Sequence, residues 1–422
     1  MPDSLIFLLM VAVFVLAAML LKLPIGVSLA ISALSGALVG GKGIALRHLV
    51  EGSFVYFDTI LLILTAMIFM KVLEASGLLD AITSHLLRLF YKRKISLLLT
   101  VMLITMFPGM ITGSSTAAVL SSGALVAPVL IKLGLSKQKT AALIAMGGIL
   151  GMIAPPVNIL VMIMGGGVDM PYMGLTIPLL FIVIPLAVLI SVWIGYRDIN
   201  ILERERMIEI LPPSPTIRYR FLLYLPLVVV FALMLGQGLL AKAMLDPGLP
   251  AIFLLGSFAG LLCGKSFNFL KVTQQAVKEA MPILSILVGV GMFIQIMTLT
   301  GGRGWTVISF LSLPAWLLYL GIATSMPLFG AVSAFGSASI LGVPFILALI
   351  NRNAIITSAA LSAIAGLGDL MPPTALAGIF AAQVVNEPNY FRVLRYCLIP
   401  ALFEVTMGVG VLLLAPLLDK FM

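Results

Sequence analysis

The sequence predicts an all-α polytopic membrane protein of two inverted repeats, with about ten transmembrane helices and two re-entrant helical hairpins. Three observations predict it. Of 422 residues, 61% are hydrophobic and only 10% charged, where a soluble domain carries about 25% charged residues. Apolar runs of roughly 18 residues or more, each long enough for a ~30 Å hydrocarbon core, recur from end to end. The second half also repeats the proline and glycine punctuation of the first.

The first apolar run, Leu5–Leu21, lacks a basic start and a small-residue cleavage site, so it reads as a span rather than a removed signal peptide. Full spans follow at about 5–22, 24–40, 56–75, 140–166 and 173–196, then at about 220–241, 249–265, 281–299, 354–384 and 395–417. Two longer stretches, 95–131 and 312–350, are punctured at "FPGMITGSS" (107–115) and "SMPLFGAVSAFGS" (325–337). Each reads as two half-helices meeting inside the membrane and returning to the side they entered. Irregular backbone at that depth survives only within protein or beside a water-filled cavity. Residues 1–196 make the first repeat, the charged, proline-marked 197–219 a cytoplasmic linker, and 220–422 the second repeat. The amphipathic, basic 81–94 is expected along the inner membrane surface, with 303–313 as its less charged counterpart.

Charge placement tests this layout. The net charge of +9 sits in loops, where topology explains it better than nucleic acid does. With both hairpins re-entrant, all Lys and Arg except Lys42, Arg47, Lys242, Arg303, Arg352 and Lys420 fall on one side. That asymmetry follows the positive-inside rule and puts both termini outside, in the periplasm if the membrane is a bacterial inner membrane. Lys71, Glu74 and Asp80 lie at the inner end of the third span, where snorkelling to water accounts for them. Cys263, Cys397, His48 and His85 are isolated and show no disulfide or metal spacing. No G-x-x-x-x-G-K-[ST] is present, so energy is expected from an ion gradient rather than from ATP.

The halves align at an offset near 217. "GMIAPPVNILVMIMGG" (151–166) matches "GDLMPPTALAGIFAAQ" (368–383), placing Gly151 on Gly368 and Pro155–Pro156 on Pro372–Pro373. Five crossings per half is an odd number, so the second copy enters from the opposite face. Interrupted segments at corresponding places in inverted halves point to a transporter site at mid-membrane.

A proline pair removes backbone donors and clashes with the preceding turn, so carbonyls near 151–154 and 368–371 lose helical partners. Such carbonyls are hard ligands for a small cation. The hairpin tips add hydroxyls: Ser114, Ser115 and Thr116 in the first, Ser333, Ser337 and Ser339 in the second. Half-helix N-termini beside them suit a carboxylate. Each half is thus expected to assemble one Na⁺ site with substrate between them, Thr116, Asn158, Ser339 and Thr374 being the candidates for substrate contact. Asp369 is an acid in an otherwise neutral apolar segment, where an unpaired charge costs about 2.5–3.5 kcal/mol. It reads as a cation ligand, a proton carrier or a structural cap. Asn158, after the first Pro-Pro, reads as a substrate-orienting group, a helix cap or a helix–helix hydrogen bond.

At these residues the chain resembles the large membrane subunit of the tripartite ATP-independent periplasmic (TRAP) transporters, within the ion-transporter superfamily. The resemblance covers about 5–417 and rests on "GMITGSSTAAVLSSGALVAPVLIKLG", "APPVNILVMIMGGGVDMPYMG" and "GLGDLMPPTALAGIFAAQVV". It implies Na⁺-driven uptake of a small organic acid handed over by a soluble periplasmic binding protein. It also implies a small four-helix membrane subunit as partner, an elevator-like movement, and no organic cofactor. Carried over by position, the first cation site would use Gly113, Ser114, Ser115 and the backbone near Gly151 and Ala154. The second would use the Gly330–Ser337 tip, including Ser333 and Ser337, with Gly366, Gly368 and Asp369. Where the family usually has Ser after the first Pro-Pro and Thr before the second, this chain has Val157 and Met371. The scaffold is expected to be mainly the first two spans of each half, with hairpins and Pro-Pro helices moving against it. The runner-up is a stand-alone carrier or antiporter of the same superfamily. An intramembrane enzyme would need a His or acid pair beyond the lone Asp369, and a channel would need rings of pore-lining charge.

Overall fold

A computed structural model describes residues 2–200, 220–242 and 247–420, which form nineteen helices and no strand. Most of the predicted linker, 201–219, lies outside the described residues. The first half runs α1 (Asp3–Leu20), α2 (Ile25–Val39), α3 (Leu46–Phe54), α4 (Phe57–Ser76) and α5 (Leu78–Phe90). It continues α6 (Lys94–Thr112), α7 (Ser115–Lys132), α8 (Lys137–Ile153), α9 (Ile159–Gly167) and α10 (Thr176–Gly195). The second half runs α11 (Leu225–Lys242), α12 (Gly248–Leu261), α13 (Phe269–Leu299) and α14 (Gly302–Leu311). It ends α15 (Ala315–Gly330), α16 (Ala334–Ala348), α17 (Ala354–Gly366), α18 (Leu376–Val384) and α19 (Tyr390–Leu418).

Among the described residues, seven helices are long and apolar enough to cross a membrane. The expected crossings at 24–40 and 249–265 are shorter, 15 and 14 residues, or about 21–23 Å of rise. The crossing expected at 281–299 instead begins at Phe269. Asn268 caps it there, its side-chain oxygen accepting from the Lys271 N–H at 3.1 Å. The polar helix formers of "VTQQAVKEAM" extend it, which a search for apolar runs does not register.

Both punctured stretches are pairs of helical arms. The sequence placed the first break across 107–115, but α6 continues through Pro108 to Thr112 and the chain turns only at Gly113–Ser114. Gly113 sits at φ +64°, a left-handed conformation that glycine adopts without steric cost. Ser114 then caps α7, accepting from the Ala117 N–H at 3.2 Å. In the second hairpin α15 runs through Pro327, and Ser333 caps α16 by accepting from the Gly336 N–H at 3.1 Å. Each return arm loosens into a five-residue π-helical segment at the same distance beyond its cap, Val119–Gly123 and Ala338–Gly342. After each hairpin comes a helix broken at Pro-Pro, and both proline pairs are joined by cis bonds.

Packing divides these elements into two lobes. One joins α1–α4 to α11–α13; the other joins α6–α10 to α15–α19. The expected scaffold of first and second spans therefore gains the third span of each half, α4 and α13. That helix packs on the opposite half: α13 lies along α2 and α3, and α4 along α12. Small residues permit these crossings, since a Cβ on Gly26 would stand 2.2 Å from the Ser285 carbonyl oxygen. α5 and α14 link the lobes. Leu78, Leu79, Ala81 and Leu87 bury one face of α5 against the protein, so the expected surface helix is also a packed one.

Within the second lobe each hairpin's first arm touches its Pro-Pro helix backbone to backbone. A Cβ on Gly109 would meet the Gly151 backbone at 2.9 Å, and one on Gly330 would meet the Gly368 Cα at 2.5 Å. No flexible side chain stands there to yield, so the helices must part. Gly330→Ala is predicted to destabilise the protein by about 1–3 kcal/mol. Gly304→Ala, whose Cβ meets nothing within 4 Å, should be neutral or gain up to ~1 kcal/mol. Thermal unfolding in detergent checks this; equal melting of the two variants contradicts it.

Candidate functional site

The two hairpin tips, the second helix break and the facing sides of α4 and α13 enclose a cavity of about 500 Å³. Its polar groups come mainly from the second lobe: Ser114, Ser115 and Thr116 at the first tip, Ser333 at the second, and Asp369 and Thr374 flanking the second Pro-Pro. Its apolar wall comes from the first lobe, with Met67, Met70, Ile283 and Ile286.

Asp369 lies in a 3₁₀ turn, Leu367–Leu370, that continues α17 up to the break, and is 6% exposed. The Ser115 hydroxyl donates to its carboxylate, joining the first hairpin to the second Pro-Pro helix across 254 residues of sequence. No Lys, Arg or His pairs with Asp369 among the described residues. The alignment that puts Gly151 on Gly368 puts Met152 on Asp369, and Met152 also lines the cavity. The two pseudo-equivalent positions are thus chemically unlike: one half supplies a carboxylate, the other a thioether.

The breaks are tied to the tips in related ways. In the first, the Val157 N–H donates to the Met110 carbonyl at 3.1 Å. In the second, the Thr374 hydroxyl donates to the Ala331 carbonyl at 2.8 Å. Val157 and Thr374 share one aligned position, so main chain and side chain perform the same tie. Several carbonyls freed by the prolines have found donors: Ile153 O accepts from the Asn158 amide at 2.8 Å, and Gly368 O from the Met371 N–H at 3.0 Å. The Tyr390 hydroxyl donates to Leu370 O. A carbonyl has two lone pairs, so an ion can share an oxygen with such a donor.

Other predicted residues lie behind the cavity. Gly151, Gly366 and Gly368 stand at close approaches of helices, a Cβ on Gly366 meeting Ile153 at 2.9 Å. Gly113 and Ala154 occupy the turn and the helix end. The Ser337 hydroxyl donates to Met326 O at 2.8 Å, joining the arms of its hairpin, and that of Ser339 to Gly336 O at 2.9 Å. Asn158 is fully buried. It caps α9, accepting from the Val161 N–H at 3.1 Å, and donates to the Ser362 hydroxyl at 3.0 Å. Two of its three anticipated roles, cap and helix–helix bond, are therefore filled.

Sequence reasoning missed two features. Tyr172, in the loop after α9, accepts from the Asn158 N–H at 2.8 Å and donates to Pro156 O at 2.9 Å, clasping the first break. Its only signal was an aromatic hydroxyl near a broken helix. Lys71 and Glu74 do not simply reach for water: they line the cavity with Glu279 of α13. Lys71 Nζ stands 3.0 Å from Glu74 and 2.9 Å from Glu279, which the sequence holds more than two hundred residues away.

Paired hairpins and broken helices around a cavity with a polar floor define a membrane transporter. The family described as "Tripartite ATP-independent periplasmic transporter, DctM component" matches residues 10–417. The chain belongs to that family. No curated protein matches it in sequence. Its fold is similar to the Alcanivorax borkumensis YdaH transporter (TM-score 0.61, 18% identity, 89% of each chain covered). It is similar also to Neisseria gonorrhoeae MtrF, described within a class of antimetabolite efflux pumps (TM-score 0.61, 14% identity, 92% of this chain and 94% of that one). At such identities the likeness is one of fold.

Tyr172→Phe removes one acceptor and one donor from the first break. A loss of about 1–3 kcal/mol is predicted, from buried backbone groups left without partners. Thermal unfolding measures it, and a wild-type melting temperature would show that the clasp does not hold the break.

Proposed function

We propose that this chain is the large permease subunit of a Na⁺-coupled importer of a small carboxylate. A periplasmic binding protein hands the substrate over, and a small four-helix membrane subunit completes the complex. The observation that carries the reading is Asp369: a buried acid at a helix break, bonded to the other half's serine, with no Lys, Arg or His paired to it among the described residues. A charge in that setting calls for a mobile cation. The Ser115 hydroxyl bonds it and the Thr116 hydroxyl lines the same cavity, and such hard oxygens, with main-chain carbonyls at a helix break, suit Na⁺.

The substrate would lie beside the ion, between the tips. α7 and α16 both begin at serines lining the cavity, so their N-termini present N–H groups and a partial positive charge to a carboxylate. Once the cation answers Asp369, an incoming anion meets attraction instead of repulsion, and that is a physical basis for obligatory symport. Lys71 is engaged by Glu74 and Glu279 on the first lobe, so it does not trap the anion as an isolated charge would. The two-lobe packing supports an elevator: the second lobe would carry the site while the first stays fixed, α5 and α14 serving as arms. In a bacterial inner membrane, the positive-inside asymmetry would put both termini in the periplasm.

Proteoliposome counterflow tests the coupling. Uptake should follow an imposed Na⁺ gradient, and Asp369→Asn should lower apparent Na⁺ affinity by tenfold or more, in line with the ~1.5–3 kcal/mol of a charged hydrogen-bonded contact. Uptake that follows a proton gradient and ignores Na⁺ would overturn the reading.

A further inference from the structure

A second groove, of about 480 Å³, lies apart from the transport cavity, between the end of α10, the start of α19 and the first turn of α8. Lys139, Arg197 and Arg395 bring three cations to it, and Trp193, Tyr196 and Tyr396 bring three aromatic rings. Lys139 is paired with Asp198. Arg197 and Arg395 are exposed and have no hydrogen bond or ion pair among the described residues.

The aromatic rings mark a depth. Tryptophan and tyrosine concentrate where hydrocarbon gives way to headgroups, and here they ring the mouth of the cationic groove. Trp193 is held edge-on to Phe403 at 5.6 Å yet stays 55% exposed. Lys139 Nζ sits 5.7 Å from the Tyr396 ring centre, so that cation is fixed at the groove by both Tyr396 and Asp198. From the groove an apolar surface continues along the outer faces of both helices, through Ile399, Leu402 and Leu189, all exposed. A soluble phosphate would use the cations alone; a lipid would use the cations, the rings and the apolar track together.

We infer that this groove binds the headgroup of an acidic phospholipid from the inner leaflet, with Arg197 and Arg395 on the phosphate and an acyl chain along α10 and α19. Basic pockets between helices on the cytoplasmic side are physically suited to such headgroups. None of these residues lines the transport cavity, so the inference does not rest on how that cavity works.

Native mass spectrometry of the full chain in detergent tests it, using phosphatidylglycerol and phosphatidylcholine of identical acyl chains. Phosphatidylglycerol should be retained preferentially. Arg197→Gln/Arg395→Gln should cut its retention about 25-fold, about a factor of five for each surface cation removed. Arg197→Lys/Arg395→Lys should keep it, as should Lys271→Gln/Lys278→Gln, two neutralisations outside the groove. Equal retention of the two lipids would overturn the inference, and so would undiminished binding by the first variant. If sn-glycerol 1-phosphate displaces phosphatidylglycerol at equal concentration, the site takes a free phosphate and the lipid assignment fails.

Discussion

The contact between Ser115 and Asp369 governs the chemistry of the cavity. It joins a hairpin of one half to a broken helix of the other, at a place shielded from bulk water by the tips. A serine hydroxyl answers only part of a carboxylate's charge, and the described residues supply no cation to answer the rest. On the proposed reading, the cation that neutralises Asp369 arrives with the transport cycle. The polar floor, the helix ends pointing into the cavity and the apolar facing wall all take their meaning from that requirement.

The backbone around Asp369 is held by close packing and by substituted hydrogen bonds. Glycine against glycine, at 109 with 151 and at 330 with 368, lets each hairpin lie directly on its Pro-Pro helix. The prolines break the helical ladder, and Asn158, Tyr172 and Tyr390 bond some of the groups left without helical partners. The second lobe presents a polar interior edge, and the first meets it with methionine and isoleucine beside the Lys71–Glu74–Glu279 cluster.

Much of this was legible in the sequence, because a bilayer imposes few permissible forms. Hydropathy marked the spans, and the Gly-Pro punctuation recurring in both halves marked the hairpins and breaks. Asp369 stood out because an acid in a neutral apolar segment is costly. What escaped was what distance in sequence hides. Glu279 sat in a polar stretch that no apolar window reaches, so its meeting with Lys71 was invisible. The positions of Ser337 and Ser339 near a hairpin tip and of Asn158 after a Pro-Pro do not separate a polar group that ties two helices from one that lines a cavity. The turn of the first hairpin lies within the expected 107–115, at Gly113, because a proline within a helix bends it while a left-handed glycine ends it.

The central claim is that Ser115 and Asp369 act as one unit in holding the coupling cation. The most direct measurement is a double-mutant cycle on Na⁺-induced thermal stabilisation of the purified chain, with Ser115→Ala, Asp369→Asn and the double variant. The account predicts strong non-additivity, the double variant losing little more Na⁺ response than Asp369→Asn alone, with a coupling of about 0.5–3 kcal/mol. Additive losses, or a full Na⁺ response in Asp369→Asn, would contradict it.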